Sequence, residues 1–187
     1  MAGLLPRERI SYHEAGHAVA AFVLRMRFTH LSIISDEDSI GHTMTSKLRD
    51  FQPDVGRSRA GRDRYERYAI VSLAGLVAER LRAGRVRYRT NHPDVVQAFY
   101  LCSNTCGSDE ETQACINWLW ERTKNLMKSG RQWAAVEALA KQLRVRRYIG
   151  ERKARRIIKQ AFGDWDKRAR RKRRSAKAAV QARPAGR

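Results

Sequence analysis

Apolar positions recur with a helical period over most of the chain, interrupted once by a short stretch with strand-like runs. Ser11 is a candidate N-cap, and the residues after it predict a helix to about Arg27. Ala18 to Leu24 (AVAAFVL) is apolar without a break, so this helix is expected on the inside of the molecule. Leu31–Ser35 (LSIIS) and Ile40–Thr45 (IGHTMT) are β-branched runs separated by a turn-like Asp36–Ser39, and together they predict a small hairpin. Lys47 to Arg62 carries Pro53, Gly56 and Gly61 and predicts a mobile loop.

The second half reads as helix after helix. Asp63 to Ala83 places Tyr65, Ala69, Leu73, Leu76 and Val77 on one stripe, with Gly84 after its end. Arg85–Asn91 connects to a helix opened by Pro93, a favoured first-turn residue, which continues through Val95, Val96, Ala98, Phe99 and Leu101. Further helices are predicted over about Asp109–Ser129, Gln132–Leu143 and Glu151–Phe162, and beyond Trp165 the apolar pattern stops. No repeat period of a solenoid or propeller is present. The expected fold is mainly α with a small antiparallel β element, an α+β domain.

Composition narrows the classes. With 187 residues and 42% apolar positions, the chain can build one core. Its longest apolar run is far short of the about 20 residues that a membrane helix needs, and its first residues lack the pattern of a secretory signal. Three cysteines, Cys102, Cys106 and Cys115, cannot all pair within one chain. They predict buried free thiols in a reducing, cytoplasmic setting, with Cys102 and Cys106 on one face if that segment is helical. The formal charge of +20 favours polyanionic partners. Half of it sits in Lys167–Arg187, where ten basic residues meet no acidic one.

Residues 166–187 are therefore expected to be a disordered basic tail, appended to a domain over residues 1–165. Arg170, Arg171, Lys172, Arg173 and Arg174 form its densest cluster and are candidate phosphate contacts for non-specific nucleic acid. Arg144, Arg146, Arg147, Arg152, Lys153, Arg155 and Arg156 extend the basic surface. Trp118, Trp120 and Trp133 are assigned to the core rather than to base stacking.

One motif carries chemistry. His13-Glu14-Ala15-Gly16-His17 is H-E-x-x-H inside the first helix. Four residues advance a helix by about 400°, so both imidazoles leave the same face about one turn apart. Two nitrogens can then meet one zinc ion at about 2.0–2.1 Å, with Glu14 beside the metal as general base toward a bound water. The alternative is a helix with two unrelated histidines. That alternative leaves two His and a Glu unpartnered within an apolar helix, at a cost on the order of several kcal/mol. Gly16 and Ala20 leave space for a neighbouring strand or a substrate to approach.

The stretch His13–Val19 (HEAGHAV) resembles the zinc-protease domain of FtsH-type ATP-dependent membrane proteases. So do LSIIS followed by IGHTM, Ala69–Leu81 (AIVSLAGLVAERL), and the closing RRYIGERKARRIIKQAF. The resemblance covers about residues 8–162. It implies an FtsH-protease-like helical domain, with H-E-x-x-H on the first long helix, that hydrolyses peptide bonds with Zn2+. It also implies a third ligand at Asp94, in Thr90-Asn91-His92-Pro93-Asp94, with His92 and Glu79 as the other candidates. The plainer account of Asp94 is a first-turn acid held by the helix dipole. Glu79 is expected to support a ligand by hydrogen bonding. Leu31, Ser32, Ile33 and Ile34 are expected to offer a strand edge to an extended peptide by β-augmentation.

Departures from that family limit what carries over. No G-x-x-x-x-G-K-[ST] occurs, so a stand-alone relative without the ATPase module or the membrane anchor is expected. It would act on flexible polypeptide, with a separate ATPase, or by self-association. Ala74 stands for the first glycine of a Gly-Gly pair, Arg80 for a glutamate and His42 for a tyrosine. His42 reads as a hairpin surface residue. The competing functional class is a catalytically silent metalloprotease-like protein that binds nucleic acid or another polyanion through its basic tail. A purely structural zinc would need a fourth protein ligand, such as His92, near the ion.

Overall fold

The computed structural model describes residues 6–36, 39–45, 59–84 and 91–181. They form six helices and three strands: α1 (Pro6–Val23), β1 (Phe28–Asp36), β2 (Ser39–Thr45), α2 (Arg59–Ala83), α3 (Pro93–Ser103), α4 (Asp109–Lys128), α5 (Gly130–Arg146), β3 (Tyr148–Gly150) and α6 (Glu151–Gln181). The fold is mainly helical with one small antiparallel sheet. Among the described residues no helix is long and apolar enough to cross a membrane. Residues 37–38 of the expected turn, 47–58 of the expected loop and 85–90 of the expected connection lie outside the described residues, and Arg59–Arg62, expected in that loop, form the start of α2.

α1 is the centre of the molecule because it is apolar on nearly every face, and every residue from Ala18 to Ala21 is fully buried. It starts at Pro6 rather than after Ser11. Ser11 is buried within the helix, and its hydroxyl donates to the Arg7 carbonyl at 2.7 Å, one turn back. The helix stops at Val23, short of Arg27. Arg25 takes a left-handed φ of 58°, so its own N–H reaches Phe22 O and the Met26 N–H reaches Ala21 O. That paired closure satisfies the last carbonyls.

α2 runs antiparallel to α1, since Glu8 pairs with Arg82 and His17 meets Val71. The stripe Tyr65, Ala69, Leu73, Leu76 and Val77 is buried. The contact is close because Gly16 lacks a side chain: a Cβ there would lie 2.5 Å from the Ala74 carbonyl oxygen and 2.8 Å from Ala78 Cβ. The space expected to admit a strand or substrate is therefore filled by a helix. α5 packs on another side of α1, where Tyr12 stacks on Trp133 with centroids 5.9 Å apart. α3 and α4 cover α2, and α6 lies on α5 and the sheet.

The sheet order is β2-β1-β3. β1 pairs with β2 and, through His30, Leu31 and Ser32, with the three-residue β3. Ile33 N then donates to Arg147 O at 2.9 Å. β1 is thus the middle strand, which corrects the expectation that Leu31–Ile34 present a free edge. Leu31 and Ser32 are buried, Ile33 is half-buried and only Ile34 is exposed.

Three further expectations are corrected. α6 does not end at Phe162, and the segment expected to be a disordered tail is helical through Gln181. Trp118 is 49% exposed while Trp120 is buried; residues two apart on a helix are turned by about 200°, so both cannot face the core. Cys106 lies past the end of α3 and shares no helical face with Cys102. All three thiols are free, and only Cys102 is fully buried.

Candidate metal centre

The two histidines of the motif leave the α1 face that lies against α2. His13 Nδ1 sits 2.7 Å from Glu79 Oε1, and His17 Nδ1 sits 2.7 Å from the Val71 carbonyl oxygen. Both partners are acceptors only, so each Nδ1 carries a hydrogen and donates it. In the neutral rings the lone pairs are left on Nε2, and both are aimed at one point. The two Nε2 atoms are 2.9 Å apart.

Asp94 arrives from the other side. His92 is the N-cap of α3, Pro93 is its first residue, and the Asp94 N–H donates to His92 Nδ1 at 3.3 Å. This fixes Asp94 in the first turn, with Oδ2 3.0 Å from His13 Nε2 and 3.5 Å from His17 Nε2. Asp94 Oδ2 is buried and faces both Nε2 atoms. Three electron-pair donors therefore converge, a repulsive arrangement unless a cation, either a proton or a metal ion, occupies the point they share.

Among the described residues, His13, His17 and Asp94 are the group that can hold a metal ion. Donors about 2.0–2.1 Å from a zinc ion at tetrahedral angles lie about 3.3 Å from one another, and the observed separations bracket that value. Gly75 makes room on α2. A Cβ at Gly75 would meet His17 Nε2 at 2.5 Å and His13 Nε2 at 2.8 Å. The donor set and the missing side chain both fit a small cation.

The electrostatics agree. Burial alone would lower the pKa of His13, but its bonds to Asp94 and Glu79 outweigh burial and raise it to about 10. Burial would likewise lower His17, yet the Asp94 charge leaves it above the ordinary value. Burial would raise Asp94, whereas His17 and His13 hold its carboxyl well below the usual carboxylate range. The pocket thus collects positive charge, as a proton or as a metal.

The neighbours divide into groups that support the ligands and groups that flank them. Glu79 is buried on α2 and bonds His13 rather than joining the convergent three, and Arg9 holds its other oxygen at 3.5 Å. Glu14 is 2% exposed and close enough to raise both histidines electrostatically. His92 spends Nδ1 on the helix cap, and its ring lies 5.8 Å from that of His13. His42 lies on β2 opposite Ser32. Arg170–Arg174 lie on α6, exposed and outside the site.

Gly75 and the Val71 carbonyl were not legible as site components. The available signal was Gly75 itself, a glycine retained inside a long helix without an evident turn. The chain matches no protein-family model and no curated protein.

Proposed function

We propose that this chain is a zinc-dependent endopeptidase in which His13, His17 and Asp94 hold the ion and Glu14 is the general base. The observation that carries the reading is the convergence of His13 Nε2, His17 Nε2 and Asp94 Oδ2 within 2.9–3.5 Å, with both Nδ1 atoms committed elsewhere. Three protein ligands leave a tetrahedral ion one open position, the pattern of catalytic rather than structural zinc. When bound, zinc supplies a Lewis acid and a water acidified toward neutrality.

The chain's own residues do the rest. Glu79 and the Val71 carbonyl hold the two imidazoles in the tautomer that leaves Nε2 free. Glu14, adjacent in sequence to His13, takes the proton of the attacking water and returns it to the departing amide nitrogen. Because β1 is flanked on both sides, β2 is the better candidate for pairing with an extended peptide: it is an outer strand and packs against α1. The FtsH-type resemblance of His13–Val19 and Ala69–Leu81 supports the same chemistry. Flexible polypeptide is the substrate class such a site accepts without a motor.

The test is hydrolysis of an unstructured protein such as casein by wild type and Glu14→Gln, each loaded with zinc. Glu14→Gln should keep one zinc per chain and lose about 100-fold or more in rate. Wild-type cleavage by that variant would remove Glu14 from the mechanism.

A further inference from the structure

Among the described side chains, those that fix α6 to the body lie in its first half. Ala154, Ile158, Ala161 and Phe162 are buried. The last anchors are Trp165, whose ring closes over Gly130 where a Cβ would collide, and Asp166, which pairs with Arg131 at 3.3 Å. No described side chain beyond Asp166 is buried, and Arg170 to Ala176 are all exposed. The helix nevertheless runs on to Gln181. From Lys167 that projection spans about 22 Å at the rise of an α-helix.

Its charge is one-signed and surrounds the axis. Lys167–Arg174 reads KRARRKRR, and no Asp or Glu follows it. At about 100° per residue, these cations cover roughly 260° of the circumference and leave a gap of about 100° filled by Ala169 and Ala176. Lys167 and Arg171, Arg168 and Lys172, and Arg170 and Arg174 are like charges one turn apart, which destabilise a bare helix. Among the described residues no acidic side chain pairs with Lys167–Arg174, and Arg168 reaches only the Asp164 carbonyl, so the charge of this helix favours an external polyanion.

The shape of the charge selects among polyanions. A helix lying on a lipid surface needs a broad apolar face with Trp, Phe or Leu, and here the uncharged stripe is alanine. Single strands are held by aromatic stacking, and residues 166–187 contain no aromatic side chain. Cations on both flanks of a rod about 10–12 Å wide match a groove walled by phosphates, and the major groove of B-form DNA is about 12 Å wide. The deep, narrow major groove of A-form RNA does not admit such a rod.

We propose that the projecting half of α6 docks as a helix in the major groove of duplex DNA, with Lys167, Arg168, Arg170, Arg171, Lys172, Arg173 and Arg174 contacting phosphates on both walls. This is independent of the metal centre and of any hydrolytic activity.

The test is an anisotropy titration of the full chain with a labelled DNA duplex of about 20 base pairs, from about 50 to about 200 mM salt. Matching RNA duplex, single-stranded DNA and anionic phosphatidylserine vesicles are run beside it. DNA duplex should bind at least about tenfold tighter than each of the others. Replacing Arg170, Arg171, Lys172, Arg173 and Arg174 together by Gln should flatten the slope of log K against log salt by about 4–5. Ala169→Pro keeps every charge but breaks the helix, and should weaken binding by about tenfold or more. The five replaced side chains are exposed, so the melting temperature should not move in the Gln variant. Equal binding by Ala169→Pro, an unchanged salt slope in the Gln variant, or preference for RNA, single strands or vesicles would each overturn the proposal.

Discussion

Glu79 accepts the Nδ1 hydrogen of His13 at 2.7 Å although 66 residues separate them in sequence. The bond sets the tautomer of His13 and thereby aims Nε2 at Asp94 and His17. Glu79→Ala removes the acceptor and should lower zinc affinity about 10–100-fold, measured by competition with a chelating dye. Glu79→Gln keeps an oxygen that can accept from Nδ1 and should cost less. Equal losses in the two variants would show that charge, not orientation, is what Glu79 contributes.

Two glycines set the closeness of α1 and α2, and they separate by effect. Gly16→Ala drives a Cβ onto the Ala74 carbonyl, a backbone atom that cannot yield. It should destabilise the fold by about 1–3 kcal/mol and lower Tm by several degrees. Gly75→Ala pushes instead on the two imidazoles, so zinc affinity should fall by about tenfold or more as the donors leave their geometry. Wild-type zinc affinity in Gly75→Ala would mean that α2 does not bound the ion's space.

These relationships mark where the sequence can be read and where it cannot. The spacing of His13 and His17 is local, so helical geometry alone places both rings on one face. Glu79, expected as a support for a ligand, does bond His13, whereas Val71 and Gly75 join the site through the antiparallel packing of α2 on α1, which no local pattern encodes. β3 was not legible because three residues, Tyr148–Gly150, carry no period. Without β3, β1 reads as an edge strand. The end of α6 departs from expectation for the opposite reason: the apolar period stops near Trp165, but Arg, Lys and Ala are strong helix formers and carry the helix onward. Ser11 has the chemistry of an N-cap, yet it sits inside α1 because Pro6 already supplies a favoured first-turn residue.

The metal-free protein should depend on pH in a definite direction. His13, raised from 6.5 to about 10 in the fold, contributes stability that is complete below pH 6.5 and is lost as pH rises toward 10. Asp94, lowered from 3.8, contributes stability that is present above that value and is lost in acid. Stability of the chelated protein, followed by urea unfolding, should therefore be greatest between about pH 4 and 6.5 and decline above it. Zinc must displace the proton on His13, so its affinity should climb with pH over the same upper range. Zinc affinity that is flat between pH 6 and 9 would contradict a shared place for proton and metal.

Arg147 closes α5 in a left-handed conformation, φ 58°, and hands its carbonyl to Ile33 at the start of the β1–β3 pairing. The conformation costs a non-glycine residue about 1–2 kcal/mol, against an entropic penalty for glycine of about 0.5–1 kcal/mol. Arg147→Gly should therefore raise stability by about 0.5–1 kcal/mol, visible as a higher Tm in thermal unfolding. A fall in Tm would show that the Arg147 side chain contributes more than its backbone strain costs.

The proposed site stands or falls on metal content. Wild type and Asp94→Ala, loaded with zinc, desalted and analysed by elemental mass spectrometry alongside protein concentration, give the most direct reading. One zinc per chain in wild type, with most of it lost from Asp94→Ala, is the predicted result. Wild type without zinc, or Asp94→Ala with a full complement held at wild-type affinity, would contradict it.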